Sequence, residues 1–140
     1  MSDRHLDELL HDPQPVTLPA SATVEEAARC MRERSSGAVL VTDHGELVGI
    51  FTGRDAVCRV LAAGRAGNST LLEEVMTRRP ATARPGLSSI EALRLMDDCG
   101  VRHLPVVEKG AVIGIVSRGD FGWHEKARLD EETGYKERIW

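Results

Sequence analysis

The sequence predicts an α/β protein of two β-α-β-β-α units packed sheet to sheet about a pseudo-twofold axis. Three observations carry that expectation. Shifted by 65 positions, residues 6–55 fall on residues 71–120 without a gap, and 13 of the 50 pairs are identical. The identities include residues that set backbone shape or charge, among them Pro15/Pro80, Gly45/Gly110, Gly49/Gly114 and Asp55/Asp120. Both copies also pass through helical and strand periodicity in the same order, the signature of a duplicated supersecondary unit. Finally, 140 residues at 41% hydrophobic and 29% charged are those of a globular chain of single-domain size. Three short strands with two helices cover one face of a sheet, and the other face must bury against something. The sister copy is the nearest candidate, and such a pairing leaves two equivalent clefts between the copies.

The elements follow in order. A short apolar helix opens each copy, Leu6–Leu10 and Leu71–Met76, and leads through a proline turn into a brief strand, Val16–Leu18 or Ala81–Ala83. Next comes a helix with a capping box, Thr23-x-x-Glu26 or Ser88-x-x-Glu91. Its apolar residues recur at helical spacing: Val24, Ala27, Ala28 and Met31, then Ala92, Leu93 and Met96. Two strands joined by a short Asp/Glu-Gly turn form a hairpin, Ala38–Thr42 with Leu47–Phe51, and His103–Val107 with Ala111–Val116. A last helix starts at Gly53 and ends near Gly64, a natural C-terminal cap, and its counterpart runs on from Arg118. The polar run 64–70 connects the copies. The divisions expected are 1–70, 71–128 and a tail, 129–140.

Composition excludes several function classes. A net charge of −4 provides no global basic field for a nucleic-acid backbone or an anionic membrane. Four of the five aromatic residues (Phe121, Trp123, Tyr135, Trp140) follow position 120, so the core is aliphatic and base-stacking platforms are scarce. Cys30, Cys58 and Cys99 form no CxxC, and the five histidines show no HxxxH or HExxH pairing. Packing thiols, no metal and a reducing cytoplasm are the expectation. No apolar run approaches a membrane span, and the polar, acidic first residues are unlike a signal peptide. The tail 125–140 mixes charge signs as an exposed helix does. Its aromatic residues then cover their own core or a neighbouring subunit.

Gly49-Ile50-Phe51-Thr52-Gly53-Arg54-Asp55 recurs as Gly114-Ile115-Val116-Ser117-Arg118-Gly119-Asp120, and Gly100 to Val107 reads GVRHLPVV. With the turn Val75-Met76-Thr77, this set resembles the cystathionine-β-synthase (CBS) domain family, whose tandem pairs are called Bateman modules. The resemblance spans roughly residues 6–128 and is that of a stand-alone bacterial-type pair. It implies that Thr52 and Asp55 hold a ribose and nearby phosphate in one site, and Ser117 and Asp120 in the other. Thr17 and Thr82 would lie at the strand entrances. Ser36, Gly37 and Ala38 in one copy, and Val101, Arg102, His103, Leu104 and Pro105 in the other, would line the base pockets. The chemistry is sound on its own: an ionised Asp is a pure acceptor for a ribose diol, and Arg54, Arg102 and Arg118 suit phosphoryl oxygens.

The same Thr/Ser-x-x-Asp segments are also capping boxes, and either alone reads as a helix cap. In the first copy Leu40 replaces Pro105, and Gly37-Ala38 replace Arg102-His103, so the second site is the more complete. The reading is a regulatory module binding AMP, ADP or ATP, with NAD or S-adenosylmethionine as alternatives. It requires no cofactor, pairs as a homodimer and signals through a regulated protein. The competing reading is a structural or dimerising pair without ligand. No P-loop, zinc pattern or paired nucleophile and base points to an enzyme.

Overall fold

The computed structural model describes residues 4–6, 14–122 and 127. Two compact units emerge, and they do not coincide with the sequence copies. One holds Gln14–Pro80 with Gly110–Val112; the other holds residues 4–6, Ala81–Lys109 and 113–122. The leading segment of each copy thus belongs to the unit of the other.

The first unit is built on a four-stranded sheet of order β1-β2-β3-β4. Strand β1 (Thr17–Pro19) runs parallel to β2 (Ala38–Asp43), with Thr17 opposite Leu40. The crossover between them is α1 (Val24–Arg34), capped by the Thr23 hydroxyl, which accepts from the Glu26 amide at 3.1 Å. β2 turns back into β3 (Glu46–Thr52) through His44 and Gly45, with φ of 51° and 83°. Two left-handed central residues are what the tightest hairpin turn demands. Lys109 and Gly110 repeat the pair at 52° and 80°. A strand the repeat pattern does not announce, β4 (Thr77–Arg78), adds antiparallel to β3. It lies so close that a side chain at Gly49 would meet Met76 Sδ at 2.5 Å. Val39, Val41 and Phe51 of the sheet pack on Val24, Ala27 and Val60, and on Leu72, Val75 and Met76. The last three come from α3 (Leu72–Val75) and its exit.

The expected helix Gly53–Gly64 takes a different form. Helix α2 opens as one α-turn, Gly53–Asp55, and continues as a π-helix, Ala56–Leu61. The amides of Ala62 and Arg65 donate to carbonyls five residues back, at Val57 and Val60. This wider winding turns Asp55 and Val60, five apart, both inward (9% and 2% exposed). Val57 and Leu61 are left outside. The chain closes at Gly64 with φ of 73°.

In the second unit, α4 (Ser89–Cys99) precedes the hairpin β5 (His103–Glu108) and β6 (Ala111–Ser117). The strand expected at 81–83 shrinks to a single parallel bridge, Ala83 to Val106. Pro80 and Pro85 flank it and have no amide to extend a ladder. Where a helix is expected from Arg118, the described residues begin with one 3₁₀ turn, Arg118–Asp120, followed by extended Phe121; residues 123–126 lie outside the described residues. Phe121 buries in the aliphatic core with Ala92, Leu93, Met96, Leu104, Val106 and Val116. Residues 7–10 of the leading helix, the tail 129–140, and Trp123, Tyr135 and Trp140 lie outside the described residues.

Leu6 completes that second core and is fully buried there, the Leu6 amide donating to Leu87 O at 3.1 Å. Leu6→Ala should destabilise the second unit by about 2–5 kcal/mol. In hydrogen exchange, Leu93, Met96 and Leu104 should lose protection while Val39–Val41 of the first unit keep theirs. The C-cap of α1 is a left-handed Ser35 (φ 50°), where α4 has Gly100 (φ 67°). Ser35→Gly relieves that conformation and should add about 1 kcal/mol of stability, read from the denaturant midpoint.

Candidate functional site

The signature residues gather at one end of each hairpin. In the first unit, Ala38 pairs with Thr52 at the start of β2 and the end of β3, and Gly53 N donates to Gly37 O at 3.1 Å. Beyond that pair the chain enters α2, and its free amides need partners. Thr52 and Asp55 supply them reciprocally. The Asp55 amide donates to Thr52 Oγ1 at 3.2 Å, and Asp55 Oδ2 accepts from Thr52 N at 3.0 Å and from the Thr52 hydroxyl at 3.1 Å. The other carboxylate oxygen, Oδ1, lies 3.5 Å from Arg59 Nε. Arg59 also donates through Nη1 to the carbonyls of Val75 and Met76, at 3.3 and 3.2 Å.

The approach to β2 is shaped by a helix end. Ser36 N donates to Met31 O, closing α1, and Ser36 Oγ donates to Ala38 O at 3.0 Å. Ser36, Gly37, Ala38, Thr52 and Asp55 therefore form one cluster. Thr17 is exposed two ladder positions along, opposite Leu40, and Arg54 is exposed beside the cluster on the helix start. A shallow hollow of about 380 Å³ touches Thr17, with Gln14, Val16, Cys30, Glu33 and Arg34 among its lining. It includes neither Thr52 nor Asp55.

The second unit repeats the plan with other side chains. Arg118 N donates to Arg102 O at 2.9 Å, and Ser117 N to Asp120 Oδ2 at 2.6 Å. Val101 N closes α4 on Met96 O, as Ser36 does in α1. Thr82 is exposed just before Ala83, whose amide donates to Pro105 O at 2.9 Å. Leu104 and Pro105 are buried, Leu104 inside the aliphatic core; Arg102 is exposed and His103 half-buried.

The two clusters differ most where Gly53 corresponds to Arg118. A side chain at Gly53 would meet open space. Arg118 fills the corresponding place with a mostly buried guanidinium, held by Asp97 Oδ1 of α4 at 2.8 Å. The sequence motifs single out neither Arg59 nor Asp97. The i,i+4 spacing of Asp55 and Arg59 was a usable signal. Nothing in the sequence ties Asp97 to a residue 21 positions away.

Among the described residues no group of His, Cys, Asp and Glu is arranged to hold a metal ion, and no helix is long and apolar enough to cross a membrane. Burial lowers the His103 pKa below its ordinary value; Arg102 adds to that effect and Asp120 opposes it.

The CBS domain family matches residues 6–61 and 72–121, so the chain belongs to that family. The CBS domain-containing protein YhcV of Bacillus subtilis (strain 168) is 36% identical over 107 residues, 76% of each chain. CBSCBSPB3 of Arabidopsis thaliana is 41% identical over 102 residues, which are 72% of this chain but only 18% of that protein. The solved structure of the CBS domain protein PAE2072 from Pyrobaculum aerophilum complexed with AMP superposes with a TM-score of 0.80 at 25% identity. The superposition covers 91% of this chain and 99% of that one.

The lowered His103 pKa has a definite sign in stability. The unfolded imidazole takes its proton near pH 6.5, the folded one only below that. As pH falls through 6.5 towards the folded value, the unfolded chain binds more protons and stability is lost; above 6.5 this group contributes no dependence. The thermal midpoint should therefore drop on the acid side by less in His103→Gln than in the wild type.

Proposed function

We propose that this CBS pair is a non-catalytic regulatory module that binds an adenine nucleotide, with AMP, ADP or ATP as the ligand class. A ribose diol would donate to Asp55 or Asp120, with phosphate near Thr52 or Ser117 and the nearby arginines. The observation that carries the reading is the convergence, at the end of each hairpin, of a hydroxyl residue, an aspartate and a stretch of strand-entrance backbone. The AMP held by PAE2072, a fold match across nearly the whole chain, supports the same ligand class. NAD and S-adenosylmethionine carry the same adenosyl group and enter as competitors. The ligand's effect is to favour one conformation through its differential affinity, with the signal passing to a regulated protein from a homodimer.

A purified, ligand-free sample should show a thermal midpoint that rises with AMP, ADP or ATP concentration, matched by calorimetric binding. Asp55→Ala combined with Asp120→Ala should abolish the shift while costing about 0.5–2 kcal/mol per lost cap. A folded wild type unmoved by any of the five adenosyl ligands leaves the structural, ligand-free reading in its place.

A further inference from the structure

Asp55 is bound from two sides, and the second side leads out of the cluster. Its Oδ2 is taken by the Thr52 amide and hydroxyl, while Oδ1 faces Arg59 at 3.5 Å. The carboxylate is nearly buried (12% exposed) and the guanidinium half-exposed (50%). Arg59 stands one turn on from Asp55, within the π-helix Ala56–Leu61. From there its Nη1 donates to the last carbonyls around α3, those of Val75 and Met76. Those carbonyls open the segment that pairs as β4 with Gly49 and Ile50 and then runs through Pro80 into the second unit. A π-helical insertion is an uncommon device, frequent where a side chain is aimed at a functional position.

We propose that Arg59 couples the first-repeat site to the segment Val75–Pro80 that leads into the second unit: a ribose diol at Asp55 must displace its guanidinium from Oδ1, and that displacement loosens the hold on Val75 and Met76. The proposal rests on the nucleotide reading above and extends it to the regulation of one site. Oδ2 is already committed to Thr52, so Oδ1 is where a diol and Arg59 compete. The guanidinium fork allows Arg59 to hold a carboxylate and two carbonyls together, which a lysine ammonium on its flexible stem does not reproduce. Arg59 is thus a positioning residue, one that weakens the site it serves.

The test uses AMP as the probe, in the Asp120→Ala background so that the first site is read alone. Arg59→Met should tighten AMP binding about two- to fivefold, the strength of one half-exposed ion pair. A merely structural arginine gives weaker binding or none. Hydrogen exchange at Met76–Arg78 should quicken at least twofold on adding AMP to the Arg59 protein. In Arg59→Met it should already be quick without ligand and unchanged by it. Arg59→Lys keeps the competing charge but not the fork: AMP affinity near that of Arg59 is expected, with the quick exchange of the Met variant. The Lys variant carries the test if Arg59→Met does not fold. Equal or weaker affinity in Arg59→Met, or an AMP-dependent change in exchange that survives it, overturns the coupling. AMP binding that disappears with Asp120→Ala also overturns it while leaving the nucleotide reading intact. A wild type that binds AMP nowhere removes both.

Discussion

The reciprocal hydrogen bonds between Thr52 and Asp55 sit where three constraints meet. The last residue of β3 must leave the ladder, the first turn of α2 must find partners for its amides, and the carboxylate that supplies them must be screened from burial. Asp55 Oδ2 takes the Thr52 amide as the strand ends, Thr52 Oγ1 takes the Asp55 amide of the first turn, and Arg59 faces the other carboxylate oxygen. The pairing of Ala38 with Thr52 then fixes where the start of β2 lies relative to that carboxylate. A hydroxyl, an acid and the entrance backbone are held together because a β-strand passes directly into a helix at this point. The site geometry follows from that junction, whatever ligand it serves.

The second repeat keeps the junction and changes its surroundings. Ser117 and Asp120 retain the amide-to-carboxylate bond, and the described residues directly after Ser117 form one 3₁₀ turn where the first repeat has α2. Phe121 leaves that turn in extended conformation to fill the core, as Val60 does from the π-helix of the first repeat. The open notch at Gly53 becomes the Arg118–Asp97 pair, and Ala38 becomes half-buried His103. Two copies of one backbone plan, each with its aspartate, thus present different neighbours: inward-held Arg118 and an imidazole in one, Arg59 in the other.

Much of this was legible in the residues. The hairpins, the capping boxes and the register of the repeat follow from Gly45/Gly110, Thr23/Ser88 and Asp55/Asp120, because turn and cap chemistry acts over a few residues. What sequence left out acts over longer range. Local propensity at Ala56–Leu61 reads as an ordinary helix; its π winding is set by which side chains the core accepts. β4 has only two residues, too short for an alternation to register. The membership of Leu6 in the second core, and of Leu72 and Val75 in the first, is a tertiary choice. A repeat alignment places each leading segment with its own copy.

A carboxylate that serves as a cap is already oriented and partly desolvated, so it stands as a preorganised acceptor. The same preorganisation means that the acid cannot be removed without also removing a cap. Thermodynamic loss and ligand loss at Asp55 or Asp120 therefore travel together in an alanine variant. An asparagine keeps a side-chain oxygen for the amide of Thr52 or Ser117 but surrenders the charge and one acceptor. Asp55 is the N3 partner of the Thr52 cap, and an acid in that first turn also meets the positive end of the helix. The nearly buried Asp55 carboxylate is bound by the Thr52 amide and hydroxyl through Oδ2 and faces half-exposed Arg59 through Oδ1. Capping uses Oδ2 alone, and Oδ1 is the acceptor it leaves for a further role.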